Sequence, residues 1–344
     1  MTHIICLSNL SVPAVLTITK GLEKFRIITD QPSLNNFFTE IYGPGKTVLI
    51  PPIPKFRGIK KIFKPILLNR FRKEIMNLAG MPENNEIFFF YNAMGYPMSW
   101  WISKVAHLNR VFYKPDIDMS MFKAKMTMKS FIKQTWIRIN YGIHTTPSWT
   151  GERFIYKVSD QFLEKYDIAR ITDFTVDHEH IHRLVKDKLN LDKKKFLFLT
   201  GNTVPDRMVE EEEFIRVTDN FIDTVGKENI AVKVHPRFTT LISKEKICQL
   251  VPTYLPANVL LPNYQYVIGY TSSVLFEAAN IGIPGISMLD MYKPINPARR
   301  EEYRKYLNQN LKPGSAPIYF PKDMDELMKL TGSAEAKKIV ETAY

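Results

Sequence analysis

Two short strings hold the side chains best suited to gripping a phosphate. In AVKVHPR (231–237), Val232 and Val234 alternate around Lys233 and then give way to His235–Pro236. In YVIGYTSSVLFEAANIGIPGISML (266–289), an apolar run stops at Tyr270–Thr271–Ser272–Ser273. A helical apolar pattern follows at once through Val274, Leu275, Ala278 and Ala279. A histidine and a lysine offer cationic or proton-donating groups. A serine pair opening a helix offers hydroxyls, unpaired backbone N–H groups and the positive end of a dipole. In an open parallel α/β sheet, ligands sit at the carboxyl ends of strands. The two strings therefore predict a phosphate site in the second half of the chain. Thr200–Gly201–Asn202 closes a third apolar run, 196–199, and is a candidate to approach the same ligand, although an ordinary turn has the same composition.

A different chemistry is suggested by His178–Glu179–His180–Ile181–His182, which fits H-E-x-x-H, the pattern of zinc proteases. That motif wants an apolar helix, whereas Asp177 and Arg183 flank it and no clear third ligand follows. The preferred reading is an amphipathic helix that buries Ile181, Leu184, Val185 and Leu189. Two D-x-D strings, Asp116–Asp118 and Asp323–Asp325, lie outside the expected phosphate site. No metal ligand is assigned, and no metal or other cofactor is expected.

The elements that must position these groups alternate. Strands are expected over 3–8, 25–29, 47–50, 87–91 and 110–113, and helices over 12–22 and 34–42, with Ser, Asp, Pro and Gly in the turns. After a loop-like GIHTTPSWTGE (142–152), residues 160–166 and 176–191 look helical. The pattern restarts with strands at 196–199, 230–234, 266–270 and 285–289. Helices are expected near 209–225, where Glu210–Glu213 suit a first turn, and near 244–251. The fold class is α/β. Residues 1–190 form a Rossmann-like acceptor domain, 191–320 a Rossmann-like nucleotide-donor domain and 321–344 a C-terminal helix. Two such halves facing each other across a cleft suggest a GT-B glycosyltransferase. Asn9 and Ser11, after the first strand, would then face the acceptor.

Composition narrows the partners. The chain has 344 residues, a formal charge of +12 and two cysteines, Cys6 and Cys248, in apolar contexts. A reducing cytoplasm fits that cysteine usage, and the opening residues look like a strand rather than a signal peptide. The charge implies anionic partners. It concentrates in PKFRGIKKIFKPILLNRFRK (54–73), with eight Lys/Arg and no acid, and again in 113–141. Such stretches are solvated helix faces, a surface for anionic lipid or a track for an anionic polymer. No nucleic-acid motif is present, and nucleic acid is not expected as a partner. FFFYNAMGYPMSWW (88–101) is core or the lining of a sugar pocket.

Lys233–Val234–His235–Pro236–Arg237 resembles the HP motif of bacterial GT-B sialyltransferases and polysialyltransferases, and Tyr270–Thr271–Ser272–Ser273 resembles their serine motif. The opening HIICLSNLSVPAVLTI is similar to the first strand and loop of the lipooligosaccharide sialyltransferase group. The resemblance implies an inverting transferase that moves sialic acid, or a related ulosonic acid, from a CMP donor to a glycan of lipooligosaccharide or capsule, without a metal. It implies that His235 and the serines hold the CMP phosphate. The family's acidic-acidic-glycine base motif is missing. Asp116 and Asp118, in VFYKPDIDMS, are the nearest counterpart in order, and His144 competes with them as general base. The expected location is cytoplasmic, peripheral on the inner face of the cell membrane. Two further readings are a CDP-alcohol phosphotransferase of teichoic-acid type, which also pairs His-Pro with Ser-Ser, and a non-enzymatic anionic-surface binder.

Overall fold

The computed structural model describes residues 1–54, 63–90, 97–115, 128, 131–132, 135, 158, 160–188, 194–201, 203–204, 207–235 and 241–332. The chain divides into two units, Met1–Ile181 and His182–Tyr344.

The first unit carries strands β1 (Thr2–Cys6), β2 (Phe25–Thr29), β3 (Thr47–Leu49), β4 (Glu86–Phe90), β5 (Arg110–Lys114) and β6 (Ile168–Arg170). Its helices are α1 (Val12–Thr19), α2 (Pro32–Tyr42), α3 (Lys64–Ala79), α4 (Met98–Val105) and α5 (Asp160–Lys165), with α6 (His178–Lys188) running past the division. The sheet order is β3-β2-β1-β4-β5-β6, and every pairing is parallel. β1 is buried along its whole length, as a strand covered on both faces must be. One face packs on a core that includes Phe71 and Ile75 of α3, Trp101 and Ile102 of α4, and Phe89 and Val111 of the sheet. Phe89, Phe90 and Trp101 of the aromatic string are thus core, and the Trp101 indole donates to the Gly80 carbonyl at 2.9 Å.

The second unit carries β7 (Lys194–Leu199), β8 (Ile230–Lys233), β9 (Gln249–Val251), β10 (Tyr264–Gly269), β11 (Gly285–Ser287) and β12 (Ile318–Tyr319). Its helices are α7 (Glu211–Val225), α8 (Val274–Ala279), α9 (Pro297–Gln309) and α10 (Met324–Gly332). The order is β12-β11-β10-β7-β8-β9, again parallel throughout. Each sheet, numbered from its own first strand, reads 3-2-1-4-5-6, the Rossmann order. The two-domain α/β architecture expected of a GT-B chain is therefore present.

One expected helix is wrong. Residues 244–251 form a 3-10 turn, Lys244–Lys246, and then the edge strand β9, in which Leu250 is exposed and Val251 buried. That alternation has the period of a strand. α8 is also short, at six residues. Its dipole is correspondingly small, and its N-terminal N–H groups and serine hydroxyls matter more than the dipole.

Candidate functional site

In a 3-2-1-4-5-6 sheet the chain reverses direction between strands 1 and 4, and the carboxyl ends there diverge to leave a crevice. In the second unit that switch point lies between β7 and β10, with β8 on the far side of β7. Register aligns Leu199 of β7 with Lys233 of β8, and Ile268 of β10 with Phe198 of β7. The three strands end level, each about 4.8 Å from the next. Thr200–Gly201, Lys233–His235 and Tyr270–Ser273 therefore emerge side by side across roughly 10 Å. This is the convergence expected from sequence, and it spans the switch point.

Each strand end is tied to its neighbour. The Thr200 N–H donates to the Lys233 carbonyl at 3.2 Å, and the Thr200 hydroxyl accepts from the His235 N–H at 3.3 Å. Gly201 has φ +63°, in the left-handed region, so the chain turns sharply as it leaves β7. On the other side, the buried Ser287 hydroxyl donates to the Tyr270 carbonyl at 2.7 Å. The Tyr270 ring meets Tyr292 edge-on, with centroids 5.1 Å apart. Burial pushes the Tyr270 phenol up to about 12, so it stays neutral at any physiological pH.

The two serines differ. The Ser272 hydroxyl accepts from the Val274 N–H at 3.3 Å, capping α8. Ser273 occupies the N-cap position but makes no side-chain cap bond. α8 is seated by Gly285 on β11, where an added Cβ would lie 3.0 Å from the Leu275 carbonyl oxygen.

Lys233 behaves otherwise than its sequence suggests. It is buried, and its ammonium donates to the carbonyls of Val234, Pro252 and Thr253 at 3.4, 3.2 and 3.0 Å. An ammonium has three donors, so the cation tethers β8 to the chain beyond β9. Burial lowers its pKa to about 8, which leaves it charged at neutral pH. No signal in the sequence marks this, because its partners are main-chain carbonyls from distant residues.

A cluster the sequence did not single out stands at the end of β11. Asp290 pairs with Arg304, and with Arg300 at 3.9 Å. Arg304 also lies over the Phe320 ring, 4.5 Å from its centroid.

In the first unit, Asn9 and Ser11 follow β1 in a 3-10 turn, Asn9–Ser11. Asn9 is part-exposed, whereas Ser11 is fully buried at the head of α1. The expected donor residues Asn202 and Pro236, and the expected bases Asp116, Asp118 and His144, lie outside the described residues. The H-E-x-x-H residues sit on α6, which buries Ile181 and Val185. Among the described residues no three His, Cys, Asp or Glu side chains are grouped as a metal would need, and no helix is long and apolar enough to cross a membrane.

No protein-family model matches the chain, and no curated protein matches it in sequence. Solved structures do resemble it. UDP-GlcNAc 2-epimerase from Methanocaldococcus jannaschii aligns over 96% of this chain and 92% of its own, at 14% identity and a TM-score of 0.45. ADP-heptose LPS heptosyltransferase II from E. coli covers 97% and 99%, at 10% and 0.38. The glycosyltransferase SnogD from Streptomyces nogalater covers 100% and 94%, at 10% and 0.44. At such identities and TM-scores, nothing about this chain's chemistry follows from the likeness.

Proposed function

We propose that this protein is an inverting glycosyltransferase, taking a sialic acid or related ulosonic acid from a CMP donor to a cell-surface glycan. The observation that carries the reading is the convergence of Thr200–Gly201, His235 and Tyr270–Ser273 on the switch point of the second sheet. A nucleotide phosphate is the ligand such an edge accommodates.

The chemistry asks little else of that edge. The acceptor hydroxyl gives its proton to a base and attacks the anomeric carbon. The bond from that carbon to the phosphate oxygen breaks, and CMP leaves with the electron pair. Negative charge grows on the departing phosphate, where His235 donates a hydrogen bond or proton and the Ser272–Ser273 hydroxyls and N–H groups stabilise it. CMP carries one phosphate, so a metal is not required. The base comes from Asp116, Asp118 or His144 on the acceptor side, and Asn9 borders that acceptor.

Calorimetric titration with CMP, CDP, UMP and UDP, with and without EDTA, tests the reading. CMP should bind best, and EDTA should leave both binding and transfer intact. Preference for CDP with transfer of an alcohol phosphate would replace it by the phosphotransferase reading. Failure to bind any of the four would leave a non-enzymatic surface binder. Asp116→Asn, Asp118→Asn and His144→Ala, assayed separately, should single out one residue whose loss costs about a hundred- to ten-thousand-fold in turnover with CMP affinity kept.

A further inference from the structure

We infer that the amino-terminal end of α3, together with the end of β3, is a docking surface for an anionic lipid bilayer. Four large apolar side chains are exposed in this stretch: Leu49 (38%), Ile53 (37%), Phe63 (50%) and Ile66 (54%). Leu49 is the last residue of β3, and Phe63 immediately precedes α3.

Topology gathers them on one edge. Just after α3 the chain is fixed at the amino edge of the sheet, where the Asn84 N–H donates to the Leu108 carbonyl and the Asn109 amide to the Pro82 carbonyl. These residues lead directly into β4 and β5. α3 has 16 residues, about 24 Å of helix, so its first turn lies at the opposite, carboxyl edge, where β3 ends. Leu68, Phe71, Ile75 and Ala79 face the core. The outward stripe begins with Ile66 and continues through Arg70 and Lys73 to Glu74, all exposed. Apolar groups at the tip are thus followed by two cations on the same face, and the first acid, Glu74, comes only a further step from the tip. The sequence 54–73 has eight Lys/Arg and no acid, and four of these cations, Lys64, Arg70, Arg72 and Lys73, lie among the described residues.

Exposed cations alone would suit any polyanion. Phe63 and Ile66 held in water at the same place select a surface that takes apolar groups shallowly while its headgroups meet the cations. Bilayers containing phosphatidylserine or cardiolipin have that chemistry. The inference is independent of the transferase reading, because no nucleotide group is involved.

The test is co-sedimentation of the full chain with vesicles of phosphatidylcholine alone, or mixed with phosphatidylserine, over a salt series. Binding should require phosphatidylserine and fall as salt rises. The exposed pairs Phe63→Ser/Ile66→Ser and Arg70→Glu/Lys73→Glu should each weaken it about tenfold or more, with the thermal midpoint and CMP affinity unchanged. Ile66→Ser alone serves if the double variant unfolds, and should weaken binding in the same direction. Equal binding to neutral vesicles, or none to anionic ones, overturns the proposal. So does undiminished binding by the serine variants: with heparin bound equally well, the stretch would be a polyanion site and not a membrane surface.

Discussion

The main-chain N–H of His235 donates to the side chain of Thr200 at 3.3 Å, joining the ends of two neighbouring parallel strands. The hydroxyl fixes where the chain bearing His235 leaves β8. Thr200→Val keeps the shape and deletes the acceptor. A buried donor left without a partner costs about 1–3 kcal/mol, and this one is part-buried, so urea unfolding should show a loss of about 1 kcal/mol. CMP affinity should fall with it, and Thr200→Ser should restore both. Unchanged affinity in the valine variant would separate this bond from the ligand site.

Much of this edge is legible in the sequence because its strands stop abruptly. Lys233, His235 and Ser272 fall at or just beyond strand ends because polar residues interrupt Val-rich and Ile-rich runs; in the first unit, β2 covers the expected 25–29. Some of the elements missed lack such contrast, whereas α3 and α4 carry apolar stripes that sit inside basic and aromatic strings. Six of the thirteen residues of α9 are charged, and only Tyr306 and Leu307 of it are buried, so no apolar stripe announces it. β6, β9 and β12 have two or three residues each and stand in no longer apolar run, unlike the equally short β3 and β11. The burial of Lys233 depends on carbonyls from Pro252 and Thr253, which no side-chain pattern encodes.

His3, the second residue of β1, is 2% exposed, and among the described residues neither ring nitrogen has a hydrogen-bond partner. Burial, then the charges of Arg26 and the amino terminus, lower its pKa to about 4. The unfolded chain titrates near 6.5. Between these values the unfolded state binds the extra proton, so stability is full above about pH 6.5 and falls as pH drops towards 4. The loss should reach about 2 kcal/mol at pH 5. Urea unfolding at pH 8 and pH 5 should show this difference in the wild type and lose most of it in His3→Leu.

Gly285 lets α8 lie close on β11. In Gly285→Ala the new methyl would meet the Leu275 carbonyl oxygen at 3.0 Å and Ile318 at 3.3 Å. Backbone cannot rotate away as a flexible side chain can, so the helix must shift. A cost of about 1–3 kcal/mol is expected in urea unfolding. Because α8 carries Ser272 and Ser273 at its head, CMP affinity should also drop. Full affinity in a measurably destabilised variant would show that the serines tolerate the displacement.

The two serines offer the sharpest separation of capping from binding. Ser272 accepts from Val274 N–H, so Ser272→Ala should cost about 1 kcal/mol of stability whether or not a ligand ever binds. Ser273 makes no cap bond, so Ser273→Ala should leave the thermal midpoint nearly unchanged. If both hydroxyls meet a phosphate, each replacement weakens CMP, and the double variant loses about 1–3 kcal/mol of binding. The diagnostic outcome is Ser273→Ala with native stability and reduced CMP affinity, since capping cannot produce that combination. Native stability with native affinity in Ser273→Ala, and a stability loss alone in Ser272→Ala, would reduce this edge to an ordinary helix start and remove the serines from the proposed donor site.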